Sequence, residues 1–207
     1  MKALLIKDII NLKSYARTIM ILVAFYVILP FVTPMDISFF SGMICILFVM
    51  MAITAFSYDN ISKWDLFALS LPVSRKQMVM EKYLLSFIMM LTGGAVTSVL
   101  SIAATIFTGK TLTSDIFLVI YTLMGASLLY VSILLPFLYK FGVEKSRIIM
   151  FGAFLIPFGF LMLLKQIGFT ISPQTLEFLL KLLPLAAIGI FIGSFFISYS
   201  IYKKQEF

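Results

Sequence analysis

The sequence predicts an all-α integral membrane protein with six transmembrane helices and an N-terminal interfacial amphipathic helix. Three observations predict this class. Apolar residues make up 62% of the chain and charged residues only 12%, whereas a soluble domain carries about 25% charged residues. Six stretches lack any charge and have roughly the 20 residues that a membrane helix needs. Thirteen of the 16 basic residues fall on one side of the resulting topology.

The six charge-free stretches define the predicted spans in chain order. They are 18–35, 37–58, 83–109, 116–139, 148–164 and 182–202. The residues left over are too few for a separate soluble domain, so the chain is predicted to be one transmembrane domain over 1–207. Most basic residues lie before span 1, between spans 2 and 3, between spans 4 and 5, and after span 6. The positive-inside rule therefore places both termini in the cytoplasm.

The N-terminal segment 1–17 is predicted to be a helix lying along the cytoplasmic leaflet. On a helical wheel Ile9 and Leu12 fall on one side, and Lys7 and Asp8 fall on the other. A helix with one apolar and one charged face is typical of the membrane interface. It is either a passive anchor or a lever that touches a cytoplasmic partner through its polar face.

Composition excludes several kinds of site. The chain has no histidine and one cysteine, Cys45, so histidine-based zinc sites and disulfides within the chain are excluded. Gly109 to Thr111 has the last three letters of a phosphate-binding loop, but Ala104 stands where that motif needs glycine. No catalytic motif is present, so we expect neither an enzyme nor a bound metal or cofactor. The net charge of +7 is assigned to membrane topology and not to nucleic-acid binding.

The spans contain no deeply placed ionisable residue, which ion-coupled carriers usually need near the membrane midplane. If the protein transports a substrate, we therefore expect another subunit to supply the energy. Pro157 predicts a kink in span 5, which is also a possible hinge. Two rows of small residues at helical spacing predict close helix packing: Gly189 with Gly193, and Gly93 with Thr97 and Ser101.

The loop 59–82, which we call the elbow, is the most specific segment of the chain. Ser62 and Asp65 predict a capped short helix from about residue 63 to 69 that projects Trp64 and Phe67. One reading is a loop in the lipid headgroups, with Trp64 as an interface anchor and the basic residues on anionic lipid. The other is a rigid contact surface for a cytoplasmic partner.

A break and a second cap are predicted within the elbow. Pro72 ends the short helix because the residue before a proline avoids helical geometry. Ser74 and Gln77 then form a capping box that starts the helix leading into span 3.

The elbow carries a family resemblance. The run from Lys63 to Tyr83, KWDLFALSLPVSRKQMVMEKY, resembles the K-W-[DE]…SLP[VI]SR…[KR]Y signature of small permease subunits in the ABC-2 type exporter superfamily. Residues 140–147, KFGVEKSR, resemble their KFG-x-EK-x-R turn. The resemblance covers essentially the whole chain and implies the ABC-2, or type V exporter-like, fold. The chain is similar to permeases of Gram-positive peptide exporters, including those for phenol-soluble modulins.

The resemblance implies an assembly and a function. Two permeases, as a homodimer or with a paralogue, would pair with two ABC ATP-binding subunits that hold ATP and magnesium. The complex would lie in the bacterial cytoplasmic membrane, in contact with lipid, and export amphipathic peptides or other hydrophobic compounds. A segment between spans 5 and 6, opened by Ser172 and Pro173, would partly re-enter the membrane as a lid.

The resemblance also implies roles for named residues. The elbow becomes the coupling helix, whose ATPase-contact residues would be Lys63, Trp64, Asp65, Phe67, Leu69, Leu71, Pro72, Ser74 and Arg75. Among them Trp64, Phe67 and Leu69 would form an apolar plug in a groove of the ATPase, while the charged residues would form ion pairs at its rim. A smaller second contact would come from Glu144, Lys145 and Arg147.

Two other functional classes remain open at this point. A substrate-capture subunit of an energy-coupling-factor vitamin importer also has six spans and this size, but it needs a polar ligand pocket near the outer face and no SLPVSR elbow. A small membrane enzyme or lipid-binding protein is the third class. It is disfavoured because no polar residues cluster at one membrane depth.

Overall fold

The computed structural model describes residues 2–32, 37–107, 114–166 and 172–205. Secondary structure within these ranges is entirely helical. The helices are α1 Lys2–Val32, α2 Ile37–Ile61, α3 Trp64–Leu69, α4 Arg75–Phe107, α5 Ser114–Gln166 and α6 Pro173–Lys203. Five helices in the described part of the chain are long and apolar enough to cross a membrane, and α3 is too short to do so.

Helix α5 is a hairpin that reverses at Gly142. The backbone of Gly142 has a φ of 74° and a ψ of 176°, which interrupts the helix and which glycine adopts without a Cβ clash. The Tyr130 hydroxyl donates a hydrogen bond of 3.4 Å to the carbonyl of Met150, although a straight helix would separate these residues by about 30 Å. The arms 114–141 and 143–166 therefore run antiparallel.

The start of α1, the end of α2, the start of α4, the Gly142 turn and the end of α6 meet at one end of the bundle, which we call the elbow end. Lys7 of α1 contacts Asp59 of α2, and Lys82 of α4 contacts Asp8 of α1. Gln205, just past α6, donates to the carbonyl of Tyr139 beside the Gly142 turn. The chain thus leaves the elbow end and returns to it three times.

The predicted break between an interfacial helix 1–17 and span 18–35 is not confirmed, because α1 is one helix from Lys2 to Val32. The polar face predicted for its first turns is wrong at Asp8, which is only 1% exposed, whereas Ile9 is exposed. The buried face includes Leu12 beside Asp8. This reversal has a physical reason: apolar side chains can face lipid, while an ionised group needs partners inside the bundle.

The small-residue row of α4 packs against α2, as the sequence predicts. Thr97 and Ser101 are buried; the Thr97 hydroxyl lies 3.7 Å from the Cys45 sulfur, and the Ser101 hydroxyl lies 3.2 Å from that of Ser41. A Cβ on Gly93 would approach Phe48, so glycine permits the close contact there. By contrast, a Cβ on Gly189 or Gly193 in α6 would meet nothing within 4 Å.

Three tyrosines near the elbow end, Tyr83, Tyr139 and Tyr202, are buried. The Tyr83 hydroxyl lies 2.7 Å from the hydroxyls of both Ser194 and Ser198 in α6. A buried phenol is stable where such partners satisfy its hydroxyl. These tyrosines therefore hold helices together at the elbow end.

Helix α6 begins as its sequence predicts. Ser172 accepts a hydrogen bond of 3.2 Å from the Thr175 amide, and Pro173 occupies the first turn. The helix then continues without a break to Lys203, so the segment expected to form a lid and the span 182–202 belong to one helix.

Candidate functional site

The short helix predicted in the elbow is confirmed as α3, Trp64–Leu69, but its predicted cap is wrong. No side chain caps it; Lys63 precedes it in the left-handed region with a φ of 51°. The Ser62 hydroxyl donates backwards to the carbonyl of Tyr58 at 2.8 Å. Serine often forms this local bond to an earlier carbonyl, and the bond competes with capping.

The second predicted cap is confirmed. The Gln77 amide donates to the Ser74 hydroxyl at 3.3 Å, and the Ser74 amide donates to the Gln77 side-chain oxygen at 3.0 Å. This reciprocal pair is a capping box. It starts α4 at Arg75 and fixes the direction in which the chain leaves the elbow after Pro72.

One side of α3 faces the bundle. The Lys7 ammonium lies 4.3 Å from the centre of the Trp64 ring, a cation–π contact that joins α3 to α1. The Tyr202 hydroxyl donates a hydrogen bond of 2.9 Å to Asp65, which joins α3 to α6. Ala68, on the inward side of α3, is fully buried. Trp64 and Asp65, both expected at an ATPase contact, thus hold α3 in place.

Burial raises the pKa of the Asp65 carboxyl above its usual range. The hydrogen bond from Tyr202 favours the ionised form and opposes this effect, while the nearby charge of Asp59 adds to it. Asp65 forms no ion pair with any residue in the described ranges.

The other side of α3 is apolar and exposed. Leu66 is 53% exposed and Phe67 is 58% exposed, and Leu71 and Pro72 after the helix are also exposed. The side chain of Leu69 lies outside the described residues. The sequence interpretation named Trp64, Phe67 and Leu69 as the apolar contact and did not include Leu66, which is exposed beside Phe67.

Arg75, expected at the rim of an ATPase contact, binds the end of α6. Its guanidinium donates hydrogen bonds of 2.7 Å to the carbonyl of Lys203 and 3.0 Å to that of Gln205. A third contact of 3.4 Å reaches the carbonyl of Tyr202. The last carbonyls of a helix have no partner within it, so a guanidinium is well suited to cap them.

Five charged side chains form a buried network beside α3. The Lys82 ammonium lies 2.5 Å from Asp8 and 2.5 Å from Asp59, and the Lys7 ammonium lies 2.8 Å from Asp8 and 2.6 Å from Asp59. Glu81 is 3.7 Å from Lys82. The network links α1, α2 and α4, and breaking a buried pair of this kind is strongly destabilising.

Comparison with protein families gives a match to a family described as ABC-2 family transporter protein, over residues 3–203. That range is nearly the whole chain. The chain belongs to the ABC-2 transporter family. It is therefore a multi-pass membrane permease of an ABC transporter, and its family implies pairing with an ABC ATP-binding subunit. No curated protein and no solved structure gives a match.

The second contact predicted in the ABC-2 permease lies just after the Gly142 turn. Glu144, Lys145 and Arg147 are exposed there at the elbow end. Pro157 lies within the helical arm 143–166, and its side chain is outside the described residues. Both roles remain predictions.

Sequence interpretation of the ABC-2 permease missed the charged network. The sequence pattern puts Lys7 and Asp8 on the polar face of an interfacial helix, and Asp59, Glu81 and Lys82 within the loop 59–82. The available signal was that Asp59 and Glu81 lie at the edges of the apolar stretches 37–58 and 83–109, at helix ends that share one side of the membrane. Pairing them with particular lysines requires the three-dimensional arrangement of α1, α2 and α4.

Proposed function

We propose that this permease is the membrane subunit of an ATP-driven exporter, with six spans and with both termini and the elbow end in the cytoplasm. The reversal of α5 at Gly142 supports six crossings, because its two arms supply the fourth and fifth. Thirteen of the 16 basic residues lie on the side proposed to be cytoplasmic.

We further propose that α3 is the coupling helix. The observation that carries this proposal is the division of α3 into an attached face and an exposed face. Leu66 and Phe67 are exposed and form an apolar surface that does not belong to the core of the bundle. An exposed apolar surface of this kind usually marks a site where a partner binds. Trp64 and Asp65 attach the same helix to α1 and α6. A displacement of α3 by the ATP-binding subunit would therefore be transmitted to two transmembrane helices.

The proposed assembly contains two permeases and two ATP-binding subunits, the latter carrying ATP and magnesium, in a bacterial cytoplasmic membrane. Amphipathic peptides or similar hydrophobic compounds are the proposed cargo. The resemblance to peptide-exporter permeases supports this class. The chain's 22 phenylalanines and 13 methionines also support it, because flexible apolar walls accommodate varied apolar surfaces.

The test is co-purification of the permease with its co-encoded ATP-binding subunit, followed by ATPase assays in nanodiscs with and without amphipathic peptides. We expect a stable complex whose ATPase activity rises with peptide. Phe67→Ala should weaken the complex while leaving the permease folded. Phe178→Ala is the matched control, because Phe178 is similarly exposed but lies in the first turns of α6, remote from the elbow end.

Trp64→Ala should act differently from Phe67→Ala. It removes the attachment of α3 to Lys7 and leaves the outward surface, so the ATPase should still bind while transport falls relative to ATP hydrolysis. Wild-type peptide transport by both variants would refute the coupling role of α3. A permease that purifies alone with a small molecule bound would refute the exporter.

A further inference from the structure

Helix α1 carries a basic pair on the face that points away from the bundle. Lys13 and Arg17 are one helical turn apart, and both are exposed. Leu12 and Ile19, which flank the pair in sequence, are each only 1% exposed and pack into the bundle. Lys13 and Arg17 form no ion pair with any residue in the described ranges.

The pair lies alongside apolar parts of the bundle and not at the elbow end. Leu12 and Ile19 pack in one cluster with three residues of α2 and α4: Met51, Ala55 and Leu85. All three partners belong to the charge-free stretches of those helices. Arg17 is also about 15 Å along α1 from Lys7 in the charged network. Two cations thus occupy a depth at which the neighbouring parts of α2 and α4 carry no charge.

This lipid-facing position is unfavourable for the pair without a counter-ion. Ile9 and Ile10 are exposed on the elbow-end side of the pair, and exposed apolar residues follow it on the other side. A charge in such a setting is costly unless polar headgroups or water reach it. The only acidic residue of α1 is Asp8, which is buried in the network with Lys7 and Lys82. An anion from outside the chain would relieve this cost.

The exposed face of α1 has polar groups at the pair and apolar groups beyond it. Ser14 and Thr18, next to the two cations, are exposed and carry hydroxyl donors. The face then continues toward the other end of α1 with exposed apolar side chains: Met20, Ile21, Phe25 and Ile28. From Arg17 to Ile28 the helix rises about 16 Å, close to half the thickness of about 30 Å of a hydrocarbon core. This order matches one phospholipid, with its phosphate at the pair and its acyl chains along the apolar part.

We propose that Lys13 and Arg17 bind the phosphate of an anionic phospholipid from the leaflet on the elbow-end side. Arginine presents paired N–H donors to phosphate oxygens, and lysine adds a compact charge. A lipid of net negative charge is favoured because a zwitterionic headgroup brings its own cation, which the pair repels. A lipid is favoured over an acidic protein or a free phosphate ion because its acyl chains also cover the apolar surface beyond the pair.

Native mass spectrometry of the purified, delipidated full-length permease is the test, with phosphatidylglycerol and phosphatidylcholine as probes. We expect the wild type to bind phosphatidylglycerol more tightly. Lys13→Gln combined with Arg17→Gln should weaken this binding roughly thirtyfold, because each basic residue near anionic lipid contributes about fivefold. Lys203→Gln combined with Lys204→Gln is the matched control, because it removes two exposed charges at the end of α6 and should change the binding little.

A charge-preserving exchange separates the loss of charge from a change of structure. Lys13→Arg combined with Arg17→Lys should bind phosphatidylglycerol as the wild type does. Equal affinity of the wild type for the two lipids would overturn the proposal, and so would equal weakening by the two glutamine double variants. Displacement of phosphatidylglycerol by an equal concentration of inorganic phosphate would overturn it in favour of a site for the free ion. Unchanged lipid affinity with loss of the co-encoded ATP-binding subunit would overturn it in favour of a protein contact.

Discussion

Tyr202 donates a hydrogen bond of 2.9 Å to Asp65 and so ties the last turn of α6 to the short helix of the elbow. Arg75, at the start of α4, binds the carbonyls that follow Tyr202 in the same helix end. The elbow is thus attached to α6 on both sides of Pro72. We expect α6 to follow any movement that an ATP-binding subunit imposes on α3.

Replacing Tyr202 with Phe should destabilise the permease and loosen α3. The change leaves the partly buried Asp65 without its hydroxyl donor, which should cost about 1–3 kcal/mol. We expect a lower free energy of unfolding and faster amide exchange over residues 64–69. Tyr199→Phe is the matched control, one turn earlier in α6, with no hydroxyl bond to a described residue. Equal losses in the two variants would show that the Tyr202–Asp65 bond does not hold the elbow.

The stability of the permease should also depend on the ionisation of Asp65. Because burial raises the pKa of Asp65, the folded protein holds this proton more tightly than the unfolded chain does. The stability contribution is complete below the ordinary aspartate pKa of about 3.9 and is lost as the pH rises through the raised value. The Asp65→Asn variant has no carboxyl group to ionise, so it does not lose this stability as the pH rises. Its side-chain oxygen can still accept the hydrogen bond from Tyr202.

The check on Asp65 is the free energy of unfolding of the wild type and Asp65→Asn between about pH 4 and pH 7. The wild type should lose stability relative to the variant as the pH rises. Glu144→Gln, at an exposed position, should follow the wild type. Parallel pH profiles for the wild type and Asp65→Asn would contradict the raised pKa of Asp65.

Lys82 is predicted to be essential to the buried charge network. It lies 2.5 Å from both Asp8 and Asp59, and its side chain is 7% exposed. Lys82→Met keeps most of its apolar volume but leaves these carboxylates facing each other with only Lys7 between them. The expected loss of stability is about 3–5 kcal/mol, measured by chemical unfolding or by the yield of folded permease.

The control for Lys82→Met is Lys181→Met. Lys181 forms an ion pair of 2.7 Å with Glu177, but both side chains are more than half exposed, and exposed pairs contribute little. We expect its unfolding midpoint to match that of the wild type. Similar losses in the two variants would mean that burial does not set the strength of these pairs.

The membrane class, the short helix of the elbow and the caps at Ser74 and Ser172 could be predicted because each depends on local sequence. Each of these features can be recognised within a few turns of helix. The signals are high hydropathy, a proline that ends a helix, and a serine followed by glutamine three residues later. The separate interfacial helix 1–17 was not confirmed, because the place where such a helix ends does not depend on local sequence alone. Nothing local at Arg17 stops a helix, and whether α1 bends there depends on its neighbours.

The inward roles of Asp8, Asp65 and Tyr202 could not be predicted, because each depends on a partner distant in sequence. In a soluble protein a charged residue beside an apolar stretch usually faces water. At the elbow end the same residues face partners on other helices, while isoleucines such as Ile9 and Ile10 are exposed. Which side of a membrane helix is outward is therefore not given by polarity alone.

Two glycines offer a paired test of the helix packing. A Cβ on Gly125 would lie 2.8 Å from the Cα of Pro184 and 2.7 Å from a methyl group of Leu183. The backbone atom cannot give way easily, so Gly125→Ala should cost about 1–3 kcal/mol by forcing α5 and α6 apart. A Cβ on Gly189 would meet nothing within 4 Å, so Gly189→Ala should leave the stability of the single chain unchanged.

Unfolding of both glycine variants in detergent, measured beside the wild type, checks this prediction. The expected order places Gly125→Ala clearly below Gly189→Ala, with the latter equal to the wild type. If Gly189→Ala were neutral in the isolated chain but weakened the assembled transporter, the open face of α6 would be the contact with a second subunit, because small residues let helices approach closely. If Gly125→Ala were as stable as the wild type, α5 and α6 would not pack as closely at Pro184 as the fold requires.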